Sequence, residues 1–315
     1  MGLAAFIIVT TGTDGIDANN WSASGLFVAI VTVLLSVYIY AKFLEKGFTI
    51  KMPDSVPPAI GNSFASVVPY AACMGVCWFI RTLLNIDVVA VLMGLLTPLV
   101  AGADNIFVAT GSTFLAQLLW AVGLHGDNMF LVNFTPFGLM WIEENAAALA
   151  DGTSIYELPH ILGGLGAGGG LQRMMIWTAA AWPPIFLMLT SKVKYHKTLG
   201  IACLPPAIFT VVEPVVFGLP LALNPYLMIP FILSATVSMA VGYGLTMVHV
   251  FGRFFAALPW ATPPFLLGPL GTGDIKTALL PVIAFVIGLV IYLPFWRVYE
   301  KKCLEEEAEN EAEAA

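Results

Sequence analysis

Charge is what this sequence has least of. Only 10% of its 315 residues are Asp, Glu, Lys or Arg, against about 25% in an ordinary soluble domain. With 59% hydrophobic residues and a mean hydropathy of +0.88, the composition excludes a soluble or disordered chain and marks a membrane protein. There is no basic surplus either. Six of the 20 acidic residues fall within 305–313, leaving 14 against 13 basic ones in the body, which excludes nucleic acid as a partner. Cysteine is scarce. Cys73, Cys77, Cys203 and Cys303 form no disulfide framework. Cys73 and Cys77 share a helix face but have no second pair or neighbouring His, so they read as small residues between helices rather than metal ligands. His160, His196 and His249 show no ligand spacing. The run Gly163 to Gly170 follows no strand and lacks GxxxxGK[ST], so it is a loop or a tight helix approach rather than a nucleotide cradle. Met1 to Thr11 carries no basic n-region, so no signal peptide is expected, and no repeat of solenoid period is present. Neither a metal nor a cofactor is expected.

What is present is a series of apolar stretches: Gly25 to Leu44, Phe64 to Leu84, Val88 to Ala101, Ile106 to Gly123, Met174 to Thr190, Leu199 to Leu223, Tyr226 to Gly244, Phe254 to Leu270 and Thr277 to Trp296. Three basic clusters punctuate them: Lys42, Lys46 and Lys51; Lys192, Lys194 and Lys197; Arg297, Lys301 and Lys302. By the positive-inside rule all three are cytoplasmic. That requires an even number of crossings between successive clusters, so some stretches near the prolines after Lys197 are re-entrant, without the sequence saying which. Asn133 to Ala150 fits a short helix pair dipping in from one side better than a full crossing. The tail LEEEAENEAEAA reads as solvated and helical at most in part. The fold class expected is an all-α integral membrane protein, a polytopic helix bundle with re-entrant hairpins and broken helices.

Three polar sites interrupt the apolar background. In TVVEPVVFGLPLALNP an acid, Glu213, is followed by Pro214, Pro220 and Pro225. Each proline removes a backbone donor and clashes with the preceding turn, so no unbroken helix runs through this stretch. Broken helix at membrane depth is tolerated where it is buried in protein or lines a cavity, and an intramembrane carboxylate beside it reads as functional; the bland reading is a surface loop. In LLWAVGLHGDNMF, His125 closes an apolar helix between Gly123 and Gly126. Its imidazole can donate and accept hydrogen bonds to sugar hydroxyls, or it can be an ordinary interfacial helix end. In LPWATPPFLLGPLGTGD, Trp260 precedes Thr262, Pro263 and Pro264; its indole suits stacking on a sugar ring or an interfacial anchor. The adjacent Glu143 and Glu144 point to different helix faces and make poor paired carboxylates.

The motifs KMPDSVPPAIGNSF, LLWAVGLHG, NFTPFG, GGLGAGGG, VVEPVVFGLPLALNP, IPFIL, LPWATPP and PFWRVYEKK occur in one order, from about Ala5 to Glu307. Together they resemble the membrane IIC component of the lactose/cellobiose/diacetylchitobiose branch of the bacterial sugar phosphotransferase system. The resemblance implies an interface domain that dimerises (the remainder of it at 1–104), a substrate domain with two re-entrant hairpins (105–302) and an acidic cytoplasmic tail (303–315). It implies Glu213 as the catalytic acid and His125, Gly126, Asn133, Glu213, Trp260 and Thr262 as the sugar-binding set. It further implies a disaccharide as substrate, phosphorylated IIB with IIA as partners, a homodimer, and the cell membrane as location. No phosphoryl-carrier residue is expected in this chain, so transferase activity needs IIB and IIA. Three departures stand out. Val212 occupies the place where the family usually has Asn, Ala261 replaces a Thr of the Trp-Thr-Thr-Pro pattern, and about three family spans of about 20 residues each have no counterpart before Met1, so the chain reads as N-terminally truncated. An ion-coupled secondary sugar transporter with Glu213 and His125 as proton relay, and a non-transporting fragment, are the alternative readings.

Overall fold

The computed structural model describes residues 1–12, 15–16, 18–21, 23–53, 56–166 and 169–313. Residues 54 and 55 of the 51–64 motif and residues 167 and 168 of the glycine run lie outside the described residues. The chain separates into two compact units, Met1–Ala101 and Gly102–Ala315.

The first unit contains α1 (Gly2–Thr10), α2 (Ala23–Glu45) and α3 (Pro58–Trp78), which ends in a π turn at Phe79–Leu83, and most of α4 (Val88–Ala103). After α1 the chain folds back in a two-residue antiparallel ladder, Thr11–Gly12 with Gly15–Ile16. The small core gathers Ala5, Val9, Val28, Cys73, Cys77 and Val89. The two cysteines are therefore packing residues, with Cys73 Sγ 3.4 Å from Ser36 Oγ. Two segments, Gly25–Glu45 and Pro58–Leu83, are long and apolar enough to span a bilayer, yet only 17% of each is covered by protein. Apolar side chains such as Leu34, Val37 and Val67 face outward, as they do when lipid is the solvent.

The second unit is built on α11 (Pro225–Met247), against which α5 (Ile106–Ala121), α8 (Leu171–Thr190) and α13 (Leu280–Glu313) pack. Between these long elements lie α6 (Gly126–Met129), α7 (Thr135–Ala150), α9 (Lys194–Ile208), α10 (Glu213–Gly218) and α12 (Pro264–Thr272). The core joins Trp120, Trp177, Phe231, Tyr292 and Trp296 with aliphatic and alanine positions. Tyr292 finds a partner for its hydroxyl in the Ala180 carbonyl at 2.9 Å, as a fully buried phenol must. Glu300 accepts from Ser191 Oγ at 2.5 Å and from the Lys192 amide at 2.9 Å, so the second and third basic clusters sit at the same end of the bundle.

Two apolar stretches expected from the sequence are not continuous helices. Leu199 to Leu223 divides at residues 209–212 into α9 and α10, and Phe254 to Leu270 is non-helical chain followed by the nine-residue α12. Prolines at 214, 220, 259, 263 and 264 account for both breaks. Among the described residues after Lys197, Pro225–Met247 and Ile275–Glu309 are the helices long and apolar enough to cross a membrane. The short helix pair expected at Asn133 to Ala150 is a single helix, α7, after a 3-10 turn. Its hairpin partner is the irregular segment 151–166, whose Gly164 amide donates to the Gly138 carbonyl at 2.9 Å. A side chain at Gly138 would strike the Leu165 backbone, and Gly164 has φ +81°, so this approach requires glycine on both sides. The second hairpin lays 251–259 along α12, with Phe255 N donating to the Gly271 carbonyl at 3.0 Å. In both, the irregular backbone is hydrogen-bonded to the neighbouring helix where the two meet, the condition for tolerating it in a membrane protein. The acidic tail is also more helical than expected: α13 continues to Glu313, with Lys301–Glu305 and Lys302–Glu306 pairs at i,i+4 spacing.

Candidate functional site

A cavity of about 360 Å³ opens among the broken elements of the second unit. It is within the size range of small-molecule sites. Its walls include Trp120, His125, Asp127, Arg173, Trp177, Thr210, Glu213 and Trp260.

His125 is the residue before α6, and its Nδ1 accepts from the Asn128 amide at 3.2 Å. Accepting at Nδ1 leaves Nε2 to carry the proton of the neutral ring. Nε2 stands 3.7 Å from Glu213 Oε1, and the Trp120 ring packs over the imidazole with centroids 4.2 Å apart. Glu213 is the first residue of α10, where a carboxylate is favoured by the helix dipole. Pro214 follows in a position whose amide would have no helical partner anyway. Val212, standing where the resemblance leads one to expect Asn, gives α10 no side-chain cap and is buried against the cavity. The Glu213 side chain is 43% exposed, yet its Oε2 is enclosed and has no hydrogen-bond partner among the described residues. An enclosed carboxylate oxygen without a donor is costly unless something supplies one.

The structure thus brings His125, Glu213 and Trp260 together on one cavity. Gly126, Asn133 and Thr262 are elsewhere. Gly126 is buried where a Cβ would collide with the Ala116 carbonyl of α5, so glycine there lets α6 sit on α5. Asn133 is exposed, its amide donating to the Met129 and Phe130 carbonyls. Thr262 closes a turn on the Pro259 carbonyl.

Sequence reasoning passed over the polar wall of the cavity. Arg173, in the first turn of α8, donates from Nε and Nη2 to Thr210 Oγ1 at 3.1 and 2.9 Å, and from Nη2 to the Thr210 carbonyl at 3.0 Å. Its Nη1 lies 3.4 Å from Asp127 Oδ2, and its guanidinium carbon is 5.8 and 5.5 Å from the Trp177 and Trp260 ring centres. Arg173 could have been found by the rule that flagged Glu213, since it is the only charge between Leu171 and Thr190. Asp127 and Thr210 carry no such signal. Chemically, the wall offers indole faces for a sugar ring, an imidazole N–H and a carboxylate for one hydroxyl, and further polar groups at Asn128 and Gln172.

The family described as "Phosphotransferase system, EIIC" matches residues 1–235. The chain is 31% identical over 312 residues to the lichenan permease IIC component of Bacillus subtilis (strain 168), covering 94% of this chain and 66% of that protein. It is 33% identical over 318 residues to the cellobiose-specific EIIC component of Geobacillus stearothermophilus, covering 94% and 67%. The crystal structure of ChbC, the IIC component of the N,N'-diacetylchitobiose-specific phosphotransferase system, superposes with a TM-score of 0.86 at 29% identity, covering 98% of this chain and 75% of that one. The chain spans about two thirds of the length of the curated IIC relatives named here. With the helical bundle, its membrane spans and the match over most of its length, this chain is a multi-pass membrane protein belonging to the phosphotransferase system EIIC family.

Proposed function

We propose that this chain is a sugar permease that binds a disaccharide of the cellobiose/lactose/diacetylchitobiose class and presents one hydroxyl to a phosphorylated IIB protein, itself charged by IIA. The observation that carries this is the His125–Glu213 pair on a cavity walled by Trp120, Trp177 and Trp260. A sugar hydroxyl placed between the imidazole and the carboxylate accepts from His125 Nε2 and donates to Glu213 Oε1, the oxygen that faces the imidazole. Glu213 then takes the hydroxyl proton as phosphate arrives, while His125 fixes the oxygen's orientation. Trp260 stacks on a sugar ring. Gly126, Asn133 and Thr262, expected from the sequence as contacts, are not among the described residues lining the cavity. The chain positions the acceptor and IIB supplies the phosphoryl group. In this reading 105–302 is the substrate domain, 1–104 belongs to an interface domain of a homodimer, and the helical tail 303–315 lies in the cytoplasm.

The test is uptake of radiolabelled cellobiose, lactose and N,N'-diacetylchitobiose by vesicles supplied with phosphoenolpyruvate and the soluble phosphotransferase proteins. Internal product is separated by chromatography. Phosphorylated sugar that requires IIB is the expected result. Free sugar inside, abolished by a protonophore and indifferent to IIB, overturns it in favour of ion-coupled transport.

A further inference from the structure

Among the described residues lining the cavity, Thr210 is the one whose backbone is out of keeping with its type. It is a β-branched residue at φ +60°, and it is 2% exposed. Such residues avoid this region, so something must hold it there. The holders are visible. Its hydroxyl donates to the Trp260 carbonyl at 2.8 Å, and both its hydroxyl and its carbonyl are gripped by Arg173. Arg173 is in turn steadied by Asp127, which the Trp120 indole N–H approaches at 3.5 Å. Four separate stretches, 120–127, the start of α8, the turn 209–212 and the Trp260 loop, therefore meet at one guanidinium. Three residues beyond Thr210 the chain enters α10 with Glu213. The backbone angle at Thr210 sets the direction in which α10 leaves, and so where the carboxylate points.

We propose that Arg173 is the positioning residue for Glu213: by pinning Thr210 in its left-handed conformation it aims the carboxylate at His125 and ties the Trp260 loop to the same point. This rests on the phosphotransfer reading above and adds a residue to it. Arg173 acts through Thr210 and not on the sugar. Its planar, multi-donor head is what the grip uses, so a lysine cannot replace it although it keeps the charge. With the grip gone, Thr210 relaxes toward negative φ and α10 turns away. Glycine at 210 takes φ +60° without strain, so it relieves the need for the grip.

The experiment uses the whole chain in proteoliposomes with phosphorylated IIB, and whichever of cellobiose, lactose and N,N'-diacetylchitobiose the wild type phosphorylates fastest. Arg173→Gln and Arg173→Lys are each expected to lower kcat about 100-fold, the scale of a small misplacement of a reacting group, with KM changed only a few-fold. Adding Thr210→Gly to either is expected to recover about tenfold in kcat. If Arg173→Gln does not yield folded protein, Arg173→Lys with and without Thr210→Gly carries the test. A Lys variant equal to wild type, a loss confined to KM, or no recovery in the double variant overturns the positioning role while leaving the phosphotransfer reading intact. A wild type that phosphorylates none of the three sugars overturns the reading of function and the positioning role with it.

Discussion

The second unit holds two polar clusters built from the same residue types, and they end in opposite conditions. One surrounds Asp104. Its carboxylate accepts from the Ile161 and Leu162 amides at 2.8 and 3.2 Å and lies 3.4 Å from His160 Nδ1. The other ring nitrogen of His160 meets Glu144, and Asn145 bridges the His160 and Phe254 carbonyls at 2.7 Å each. Here an acid, a histidine and an amide are spent on the backbone of the two hairpins. The other cluster is the cavity wall, where Arg173 is spent on Thr210 but Glu213 Oε2 is left without a donor among the described residues. An acid beside a histidine therefore says little by itself. What separates these two acids is that the Asp104 carboxylate is met by two backbone amides and a histidine, while Glu213 has one oxygen without a donor among the described residues.

Four changes test that contrast. The largest effect is expected at the saturated cluster. Asp104→Ala strands two loop amides and His160, and should destabilise the protein by about 3–5 kcal/mol, the scale of breaking a buried pair. Thermal unfolding in detergent measures it, and a loss of sugar affinity at unchanged stability would erase the distinction between the clusters. At the cavity, Glu213→Gln keeps shape and hydrogen bonding but cannot take a proton. Phosphorylation should fall by about 100-fold with the melting temperature unchanged, checked by the chromatographic assay on purified protein. Next, His125→Ala should weaken sugar binding by about 1.5–3 kcal/mol without lowering yield, as measured by equilibrium binding; equal affinity in variant and wild type would return His125 to a plain helix end.

The smallest effect concerns pH at His160, in the segment after α7. Burial disfavours its charge, but the carboxylates of Asp104 and Glu144 outweigh burial and raise its pKa above the ordinary 6.5. A group whose folded pKa is raised contributes stability that is fully present below about pH 6.5 and is lost as pH climbs through the folded value. Melting temperature should therefore decline from about pH 6.5 upward in wild type, and His160→Gln should flatten that decline. An identical slope in both proteins would show that the charge on His160 is not what joins Asp104 to Glu144.

Membrane residence, the basic ends of the spans and the break around Glu213 were legible in the sequence, because each depends on composition or on proline, and both act locally. Charge is costly in hydrocarbon wherever it occurs, and proline removes an amide wherever it occurs. His125, Glu213 and Trp260 stand out for the same reason, as polar or aromatic residues at such breaks. That Asn133 to Ala150 holds the single helix α7 rather than a pair was decided only by packing. Tertiary structure also decided that Gly126 serves helix contact. Above all it placed Arg173 against Asp127 and Thr210, 46 and 37 residues away along the chain. Pairs so far apart leave no periodicity or spacing to read, since their partners are chosen by the approach of separate helices and not by their neighbours in sequence.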